Sequence, residues 1–267
     1  MIGFIVPIKS KSLSKDWNLD NILLERTIRS ICAQTLNKYK LIVVYTDFPE
    51  IKYHNDHVIF TYFPYNFTKI TDIDDSSHIL KYYSVDYAEK MFDKGRKITF
   101  GAQIAIEAGC EYIMSIDSDD LISNKIVEYV LNNNYIVAPG WVIKKGYIYT
   151  ENKKYLIKKN DIQNINGSTH IIRKDLVAIP DFSKNIFTNF NLFESHGYTC
   201  KRIKNEYNEE LLDFPIPGLI YIISGNNYSN INSIMNSLNI KNIVKKIIKR
   251  QKLSETIRSE FGLYKLF

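Results

Sequence analysis

The first 125 residues alternate apolar segments of strand length with amphipathic segments of helix length. The strand candidates read GFIVPI, KLIVVYT, HVIFTYF and EYIMSID. The helix candidates between them are NILLERTIRSICAQT, a stretch from about residue 76 that ends near a C-capping Gly95, and a separate helix ITFGAQIAIEAG. Such alternation predicts an α/β fold in which a doubly wound, mainly parallel sheet has helices on both faces.

The second half of the chain predicts that the sheet becomes mixed. WVIKKGYIYT has the pattern of a hairpin around Lys145 and Gly146, and HIIRK, YTCKRI and GLIYIIS have the pattern of short strands. A polar stretch rich in Asn and Ser follows, and after it the pattern becomes helical. We therefore predict a main domain over residues 1–225 and a basic, helical C-terminal extension over residues 226–267.

The net charge of +6 is concentrated at one end of the chain. Residues 241–267 hold eight Lys or Arg against two Glu, so the first 240 residues are formally neutral. This distribution argues against a nucleic-acid partner. The three cysteines are far apart and form no CxxC pair, which argues against disulfides and zinc. We expect a cytoplasmic protein, because the first apolar run is too short for a signal peptide or a membrane span.

The segment IKNIVKKIIKRQK, residues 240–252, spaces its apolar residues as one stripe of a helix and places lysines on the other faces. That composition is typical of an interfacial helix attracted to anionic lipid, which would place the protein peripherally on the inner face of the membrane. A helix packed on the main domain with solvated lysines explains the same pattern. The sequence leaves both interpretations open.

The apolar segment YIMSID ends in three aspartates within four residues. In a strand, Asp117 and Asp119 project to one side, and Asp120 is turned away or starts the next turn. Adjacent carboxylates repel each other, and a divalent cation with oxygen ligands relieves that repulsion. Ligands of open α/β sheets bind at the carboxyl ends of strands, so we predict a metal held against a phosphate-bearing ligand. The alternative is that Ser118, Asp119 or Asp120 caps the helix NKIVEYVLNN.

Four segments carry a resemblance to a known family. IVPIKS, ILLERTIRSICAQT, LIVVYTD and GAQIAIEAGCEYIMSIDSDDLIS occur in the order found in family 2 type glycosyltransferases of the GT-A fold, and the chain resembles them over roughly residues 2–225. KGRK, GWVIKKGYIY, GSTHIIRKDL, FPIPGLIYI and FGLY are similar to bacterial members of the polysaccharide-synthesis type. The resemblance implies a GT-A fold and a hexosyltransferase-like activity.

The resemblance also implies roles for the aspartates. Asp119 is expected to ligate Mn²⁺ or Mg²⁺ that bridges the diphosphate of a nucleotide-sugar, with a UDP-sugar favoured. Asp117 is expected to contact the ribose or to share in metal ligation, and Asp120 to face the sugar or the acceptor as a catalytic residue.

Other positions are assigned to the nucleotide by the same resemblance. Pro7 ends the first strand, and Asp47 stands near the base-recognising acid, although YTD replaces the usual paired acids. Arg96 and Lys97 match a basic position that often meets the nucleotide. A solvated pair at a helix end is the alternative for these two residues.

The implied reaction is inverting transfer of the sugar to a glycan or a lipid-linked acceptor, which needs a general base near the attacking hydroxyl. The family's usual acidic pair would fall near Asn185 to Asn189, where no carboxylate occurs. Asp181 is therefore our candidate base, with Glu194 and His196 nearby.

Two other functions fit parts of the sequence. A nucleotidyltransferase also uses a doubly wound sheet with paired aspartates, but IVPIKSKS lacks the glycines of a phosphate loop. A membrane-associated scaffold that kept the fold and lost the base is the non-enzymatic alternative.

Overall fold

The chain forms two β-sheets flanked by helices. The computed structural model describes residues 1–73, 80–81, 83–133, 138–180, 182, 197–223 and 249–266. The strands are β1 (Ile2–Pro7), β2 (Tyr39–Tyr45), β3 (Val58–Tyr62), β4 (Tyr112–Ser115), β5 (Leu121–Ile122), β6 (Gly140–Val142), β7 (Gly146–Thr150), β8 (Tyr155–Lys159), β9 (His170–Arg173), β10 (Leu212–Asp213), β11 (Leu219–Ile223) and β12 (Arg250–Lys252). The helices are α1 (Trp17–Cys32), α2 (Val85–Glu107), α3 (Ile126–Asn132), α4 (Thr199–Tyr207) and α5 (Glu255–Phe261).

The first sheet has the order β10-β6-β9-β4-β1-β2-β3. Strands β3, β2, β1 and β4 are parallel neighbours, whereas β9 runs antiparallel to both β4 and β6. Helix α1 packs against the face that carries Phe4 and Val6, and α2 packs against the opposite face, which carries Ile5 and Val44. Strands β1 and β2 are buried on both faces, which explains their nearly continuous apolar sequence. The predicted doubly wound half and the mixed sheet are confirmed.

Helix α2 runs without a break from Val85 to Glu107, so the predicted end at Gly95 is wrong. Phe92, before this glycine, is buried against Ile73 and Phe182, whereas Ile98 and Ala102, after it, are buried against the sheet. Burial on both sides of Gly95 outweighs the local preference for a stop. Gly101 serves the packing instead. A Cβ at Gly101 would lie 2.6 Å from Ile5 Cγ2 and 2.8 Å from Val44 Cγ2, so the helix crosses the sheet here at close range.

Two predictions for the second half are also wrong. WVIKKGYIYT is not a hairpin, because β6 joins the first sheet and β7 joins the second; the hairpin is formed by β7 and β8. YTCKRI lies in helix α4 rather than in a strand. Ile203 of this helix is fully buried against the first sheet. One buried apolar position fits a strand or a helix, so the sequence pattern did not distinguish the two.

The second sheet has the order β12-β8-β7-β11-β5. Its strand β11 is buried on both faces, whereas β8 and β12 are partly exposed. Leu219 and Tyr221 of β11 belong to the core shared with α1 and the first sheet, whereas Ile220 and Ile222 point to a separate core closed by α5. The alternation follows from the two-residue repeat of a strand. The sheet therefore has one side toward the main body and one side toward the C-terminal helix.

The described part of the C-terminal region belongs to the body of the protein. Arg250–Lys252 pair antiparallel with β8, so the predicted interfacial helix is wrong for these residues, because the sheet edge supplies backbone partners. Residues 240–248 and the predicted boundary near residue 225 lie outside the described residues. None of the helices in the described ranges has both the length and the apolar character needed to cross a membrane.

We predict that Gly101→Ala lowers the melting temperature of the protein. Overpacking costs about 1–3 kcal/mol, which exceeds the ~1 kcal/mol of helix propensity gained when alanine replaces glycine. Thermal unfolding followed by circular dichroism measures the change. A higher melting temperature for Gly101→Ala would contradict the close crossing of α2 over β1 and β2.

Candidate functional site

The site lies where the strand order of the first sheet reverses. The chain passes from β1 outward to β2 and β3, and then returns to place β4 on the other side of β1. The parallel register pairs Ile5 with Ser115, and the Ile116 N–H donates to the Ile5 carbonyl oxygen over 2.8 Å. The carboxyl ends of β1 and β4 therefore open side by side, which is the position where open α/β sheets bind ligands.

A cavity of about 200 Å³ opens at this point. Its wall is formed by the ends of β1 and β4, one face of α2, a loop before β9 and a side chain of β11. The polar and charged residues of the wall include Lys9, Asp20, Lys90, Asp93, Lys94, Lys97, Asp117, Ser118, Asp119 and Asn166. The cavity thus brings several lysines and several carboxylates together.

The aspartate segment is a tight turn rather than a continuation of β4. The Asp120 N–H donates to the Asp117 carbonyl oxygen over 3.0 Å, and β5 begins at the next residue. Asp117 and Asp119 both line the cavity, whereas Asp120 is fully buried. The capping alternative is wrong, because α3 begins only at Ile126 after β5 and has no side-chain cap.

Asp120 is held by two residues that the sequence analysis missed. One of its carboxylate oxygens accepts hydrogen bonds from Asn166 Nδ2 and from Ser168 Oγ, each over 2.7 Å. Ser168 Oγ also accepts from the Asp117 N–H over 2.8 Å, so this hydroxyl fixes both ends of the turn. Asp120 does not face the cavity as the resemblance implied, because these bonds draw its side chain into the interior. The polar NGST run before an apolar strand was the available signal.

The electrostatics of the turn follow from burial and crowding. Burial and the neighbouring Asp117 raise the pKa of Asp119 to about 7, although Lys94 and Lys9 oppose the shift. Burial and the charges of Asp119 and Asp117 raise the pKa of Asp120 well above its usual range. The second carboxylate oxygen of Asp120 is buried and has no hydrogen-bond partner among the described residues. The turn therefore carries more negative charge than its surroundings neutralise.

Lys94 is the principal cation of the turn. Its ammonium group lies 2.5 Å from an oxygen of Asp117. Burial disfavours the charged form of Lys94, but Asp117, Asp120 and Asp119 together raise its pKa above the usual range. Lys94 lies in α2, in the KGRK segment of which the resemblance assigned only Arg96 and Lys97 to the nucleotide.

The three substrate-binding candidates near α2 and β1 lie in different surroundings. Pro7 and Lys97 line the cavity. Lys97 is almost fully buried, pairs with Asp93 over 2.9 Å and donates to the Ile8 carbonyl oxygen over 3.0 Å, so it also holds the end of β1. Arg96 lies outside the cavity lining and donates to the Asn66 carbonyl oxygen and Thr68 Oγ1. Neither residue is a solvated helix-end residue, because both are buried.

Of the two remaining candidates, the structure describes only Asp47. Asp47 accepts a hydrogen bond from the Lys11 N–H over 2.7 Å, which ties the end of β2 to the loop after β1. It lies outside the lining of the cavity. Asp181, the candidate base, lies outside the described residues, as do Glu194 and His196.

The donor set suits a hard divalent cation only in part. Among the residues that the structure describes, no three His, Cys, Asp or Glu side chains converge as a ready metal cage. Mg²⁺, however, is usually bound by one or two carboxylates together with substrate phosphates. Asp117 and Asp119 supply such a pair in one cavity, and the unneutralised charge of the turn favours a cation there. The residues therefore fit a metal that arrives with a phosphate-bearing ligand.

Comparison with known proteins gives matches in structure alone. No family model matches the sequence, and no curated protein matches it. The chain is similar to S. aureus TarS residues 1–349 with a TM-score of 0.47 and 12% identity, over 83% of this chain and 60% of that chain. It is similar to Francisella tularensis 2-C-methyl-D-erythritol 4-phosphate cytidylyltransferase with a TM-score of 0.41 and 8% identity, over 88% and 97% of the two chains. This chain thus spans less than two thirds of the TarS fragment.

We predict that Asp120→Asn stabilises the metal-free protein, and more so at pH 8 than at pH 5. A carboxyl whose pKa is raised by folding holds a proton that the unfolded chain releases, so its contribution to stability falls as pH rises from about 4. An uncharged amide of the same shape avoids that loss. We expect the melting temperature in EDTA to rise by about 2–4 °C at pH 8, the shift that 1 kcal/mol gives in a domain of similar size.

Thermal unfolding at the two pH values measures the effect of Asp120→Asn. Asp161→Asn is the control, because this exposed carboxylate pairs with Lys159 at the surface. An equal change at both pH values, or a lower melting temperature at pH 8, would show that the buried charge of Asp120 is not the destabilising feature.

Proposed function

We propose that the protein is a metal-dependent, inverting glycosyltransferase that takes a sugar from a nucleotide-sugar donor. The observation that carries this proposal is the shared cavity of Asp117 and Asp119 with Lys9, Lys90 and Lys94 at the carboxyl ends of β1 and β4. Paired carboxylates beside several ammonium groups suit a ligand that combines a divalent cation with a diphosphate. The family resemblance adds the sugar donor, with a UDP-sugar favoured.

Asp117 and Asp119 are the residues proposed to hold Mn²⁺ or Mg²⁺. When bound, such an ion supplies charge neutralisation for the diphosphate as the bond to the sugar breaks. Ser168 holds the turn that carries this pair, because its hydroxyl accepts from the Asp117 N–H and donates to the Asp120 carboxylate. Preorganised groups of this kind lose little energy to rearrangement during the reaction.

The lysines of the cavity are proposed to bind the phosphates. Each already has an acidic partner: Lys9 lies 2.9 Å from Asp20, Lys90 lies 2.6 Å from Asp86, and Lys94 lies 2.5 Å from Asp117. An arriving diphosphate can therefore replace carboxylates as the partner of these ammonium groups. Each ammonium group would then have an anionic partner both before and after the ligand binds.

The acceptor in this proposal is a glycan or a lipid-linked sugar, and its hydroxyl loses a proton as it attacks the anomeric carbon. Asp181 remains the proposed base. The main enzymatic alternative, nucleotidyl transfer, uses the same cavity and differs in the bond that breaks. Glycosyl transfer releases a nucleoside diphosphate, whereas nucleotidyl transfer from a nucleoside triphosphate releases pyrophosphate.

The products therefore test the proposal. We expect the protein with Mn²⁺ to release nucleoside diphosphate from one of a panel of UDP- and GDP-sugars, in the presence of glycan acceptors or of water alone. Asp119→Asn should reduce the rate at least about 100-fold, since removal of one electrostatic catalytic group costs about 10²–10³ in rate. Asp161→Asn, which removes a surface carboxylate, should retain the wild-type rate.

Each other result has a distinct meaning. Pyrophosphate release from a nucleoside triphosphate and a sugar phosphate, with no nucleoside diphosphate release, would establish the nucleotidyltransferase alternative. Turnover that Asp119→Asn does not change would contradict the role of the aspartates. No turnover of any donor, with no donor binding, would favour the scaffold alternative.

A further inference from the structure

A second concave site lies at the turn of the β7–β8 hairpin. It has a volume of about 350 Å³ and is lined by Tyr149, Asn152, Lys153, Lys154, Arg258 and Lys265. We call this set the hairpin pocket. Four of its six residues are cations, and none is an acid. Arg258 and Lys265 belong to the basic region of residues 241–267 but lie beyond the proposed interfacial segment of residues 240–252.

The hairpin pocket and the cavity at the ends of β1 and β4 lie on opposite faces of the second sheet. Tyr221 of β11 lines the cavity and belongs to the core shared with α1. Tyr149 of β7 lines the hairpin pocket and belongs to the core closed by α5. The register pairs Tyr221 with Ile148, so Tyr149, the next residue of β7, projects to the other side. A ligand in the hairpin pocket is therefore distinct from a donor in the cavity.

The acidic residues nearest to the pocket in sequence are engaged elsewhere. Glu151, in the hairpin turn, reaches inward to the fully buried Arg26 at 2.5 Å. Glu260 of α5 accepts from Ser123 Oγ over 2.7 Å and pairs with Lys125 over 3.0 Å. Within the described residues, Lys153, Lys154 and Lys265 have no ion-pair partner. Glu255 of α5 lies with Arg258 in the lining of a neighbouring depression. The three lysines therefore supply the positive charge of the pocket that no carboxylate in the described part of the chain pairs with.

The hairpin pocket is built partly from residues that the fold holds in place, namely Tyr149, Arg258 and Asn152. Tyr149 is only 5% exposed. Burial and the charge of Glu151 raise the pKa of its phenol, which keeps the hydroxyl protonated as a donor. Arg258 is half-buried and donates to the Leu263 carbonyl oxygen over 3.4 Å. Asn152 has a left-handed backbone with φ of 63°, which shapes the turn from which Lys153 and Lys154 extend.

We infer that the hairpin pocket binds a phosphate group of a ligand other than the sugar donor. A phosphate carries up to two negative charges and several acceptor oxygens, which matches a guanidinium, three ammonium groups, a phenol and an amide around one concavity. The exposed Lys158, Arg250 and Lys252 on strands β8 and β12 extend the positive charge from the pocket along the sheet edge. A phosphodiester chain and an anionic lipid headgroup share this chemistry.

The test uses the full-length protein in EDTA, so that no metal assists binding in the catalytic cavity. Pyrophosphate and inorganic phosphate are titrated by calorimetry, and vesicles of phosphatidylglycerol or phosphatidylcholine are tested by cosedimentation. The pocket variant is Lys153→Gln with Lys265→Gln. The matched control is Lys158→Gln with Lys252→Gln, which removes two charges from exposed lysines of the same sheet edge. All four lysines are exposed, and thermal unfolding checks that both variants fold.

We expect the wild type to bind pyrophosphate. The pocket variant should bind it at least about tenfold more weakly, which corresponds to a change of 1.4 kcal/mol in binding free energy. The affinity of the control variant should change less than about twofold. Loss of phosphatidylglycerol vesicle binding in the pocket variant alone would identify lipid headgroups as the source of the phosphate. Unchanged vesicle binding would identify a soluble ligand. Equal weakening in both variants, full affinity in the pocket variant, or no phosphate binding by the wild type would overturn the inference.

Discussion

Three carboxylates within four residues at the end of a buried strand impose the constraint on which the site depends. Charges this close cannot all remain buried and unpaired, so the fold gives each aspartate different surroundings. Asp117 meets Lys94, Asp120 meets Asn166 and Ser168, and Asp119 faces the cavity. The supporting residues come from α2 and from the loop before β9, so the fold of both halves is needed to assemble one turn. The remaining excess of negative charge is what a cation with its phosphate ligand would relieve.

The first sheet places the aspartate turn at the crevice where open α/β sheets bind ligands. Parallel pairing of β4 beside β1, with β2 on the other side of β1, brings the ends of two strands to a single crevice. The second sheet completes the wall through Tyr221 and, on its other face, carries the hairpin pocket. The cavity, with four lysines and four aspartates in its lining, and the basic hairpin pocket therefore both contact the second sheet. In this account the cavity binds the donor, and the hairpin pocket holds another phosphate-bearing molecule.

The sequence predicted the elements of the first half well, because each strand and helix there is long and strongly periodic. It failed where tertiary contacts override local signals. Gly95 indicated a helix end, but the apolar stripe of α2 continues past it into the core. The segment from Trp141 to Thr150 has the pattern of a hairpin, yet its two strands join different sheets. The sheet that a strand joins depends on strands far away in the chain, and the local sequence pattern carries no information about them.

The site was predictable to a similar extent. Asp117 and Asp119 follow from composition and position alone, because a charged run behind a buried strand is unusual. Ser168 was missed because it lies 51 residues from the backbone N–H that it accepts from. Lys94 was missed because its partner Asp117 lies in a different element, and no local pattern joins the two residues. Arg96 resembled a nucleotide-binding residue, but its guanidinium is bound to the loop at Asn66 and Thr68.

The measurement that tests the central claim most directly is calorimetric titration of the protein with UDP and with GDP, each with and without Mn²⁺. The account predicts that one of the two nucleotides binds only when Mn²⁺ is present, and that Asp119→Asn abolishes this binding while the variant stays folded. Binding of neither nucleotide under any metal condition, or metal-dependent binding that survives Asp119→Asn, would contradict the assignment of the aspartate turn as a diphosphate and metal site.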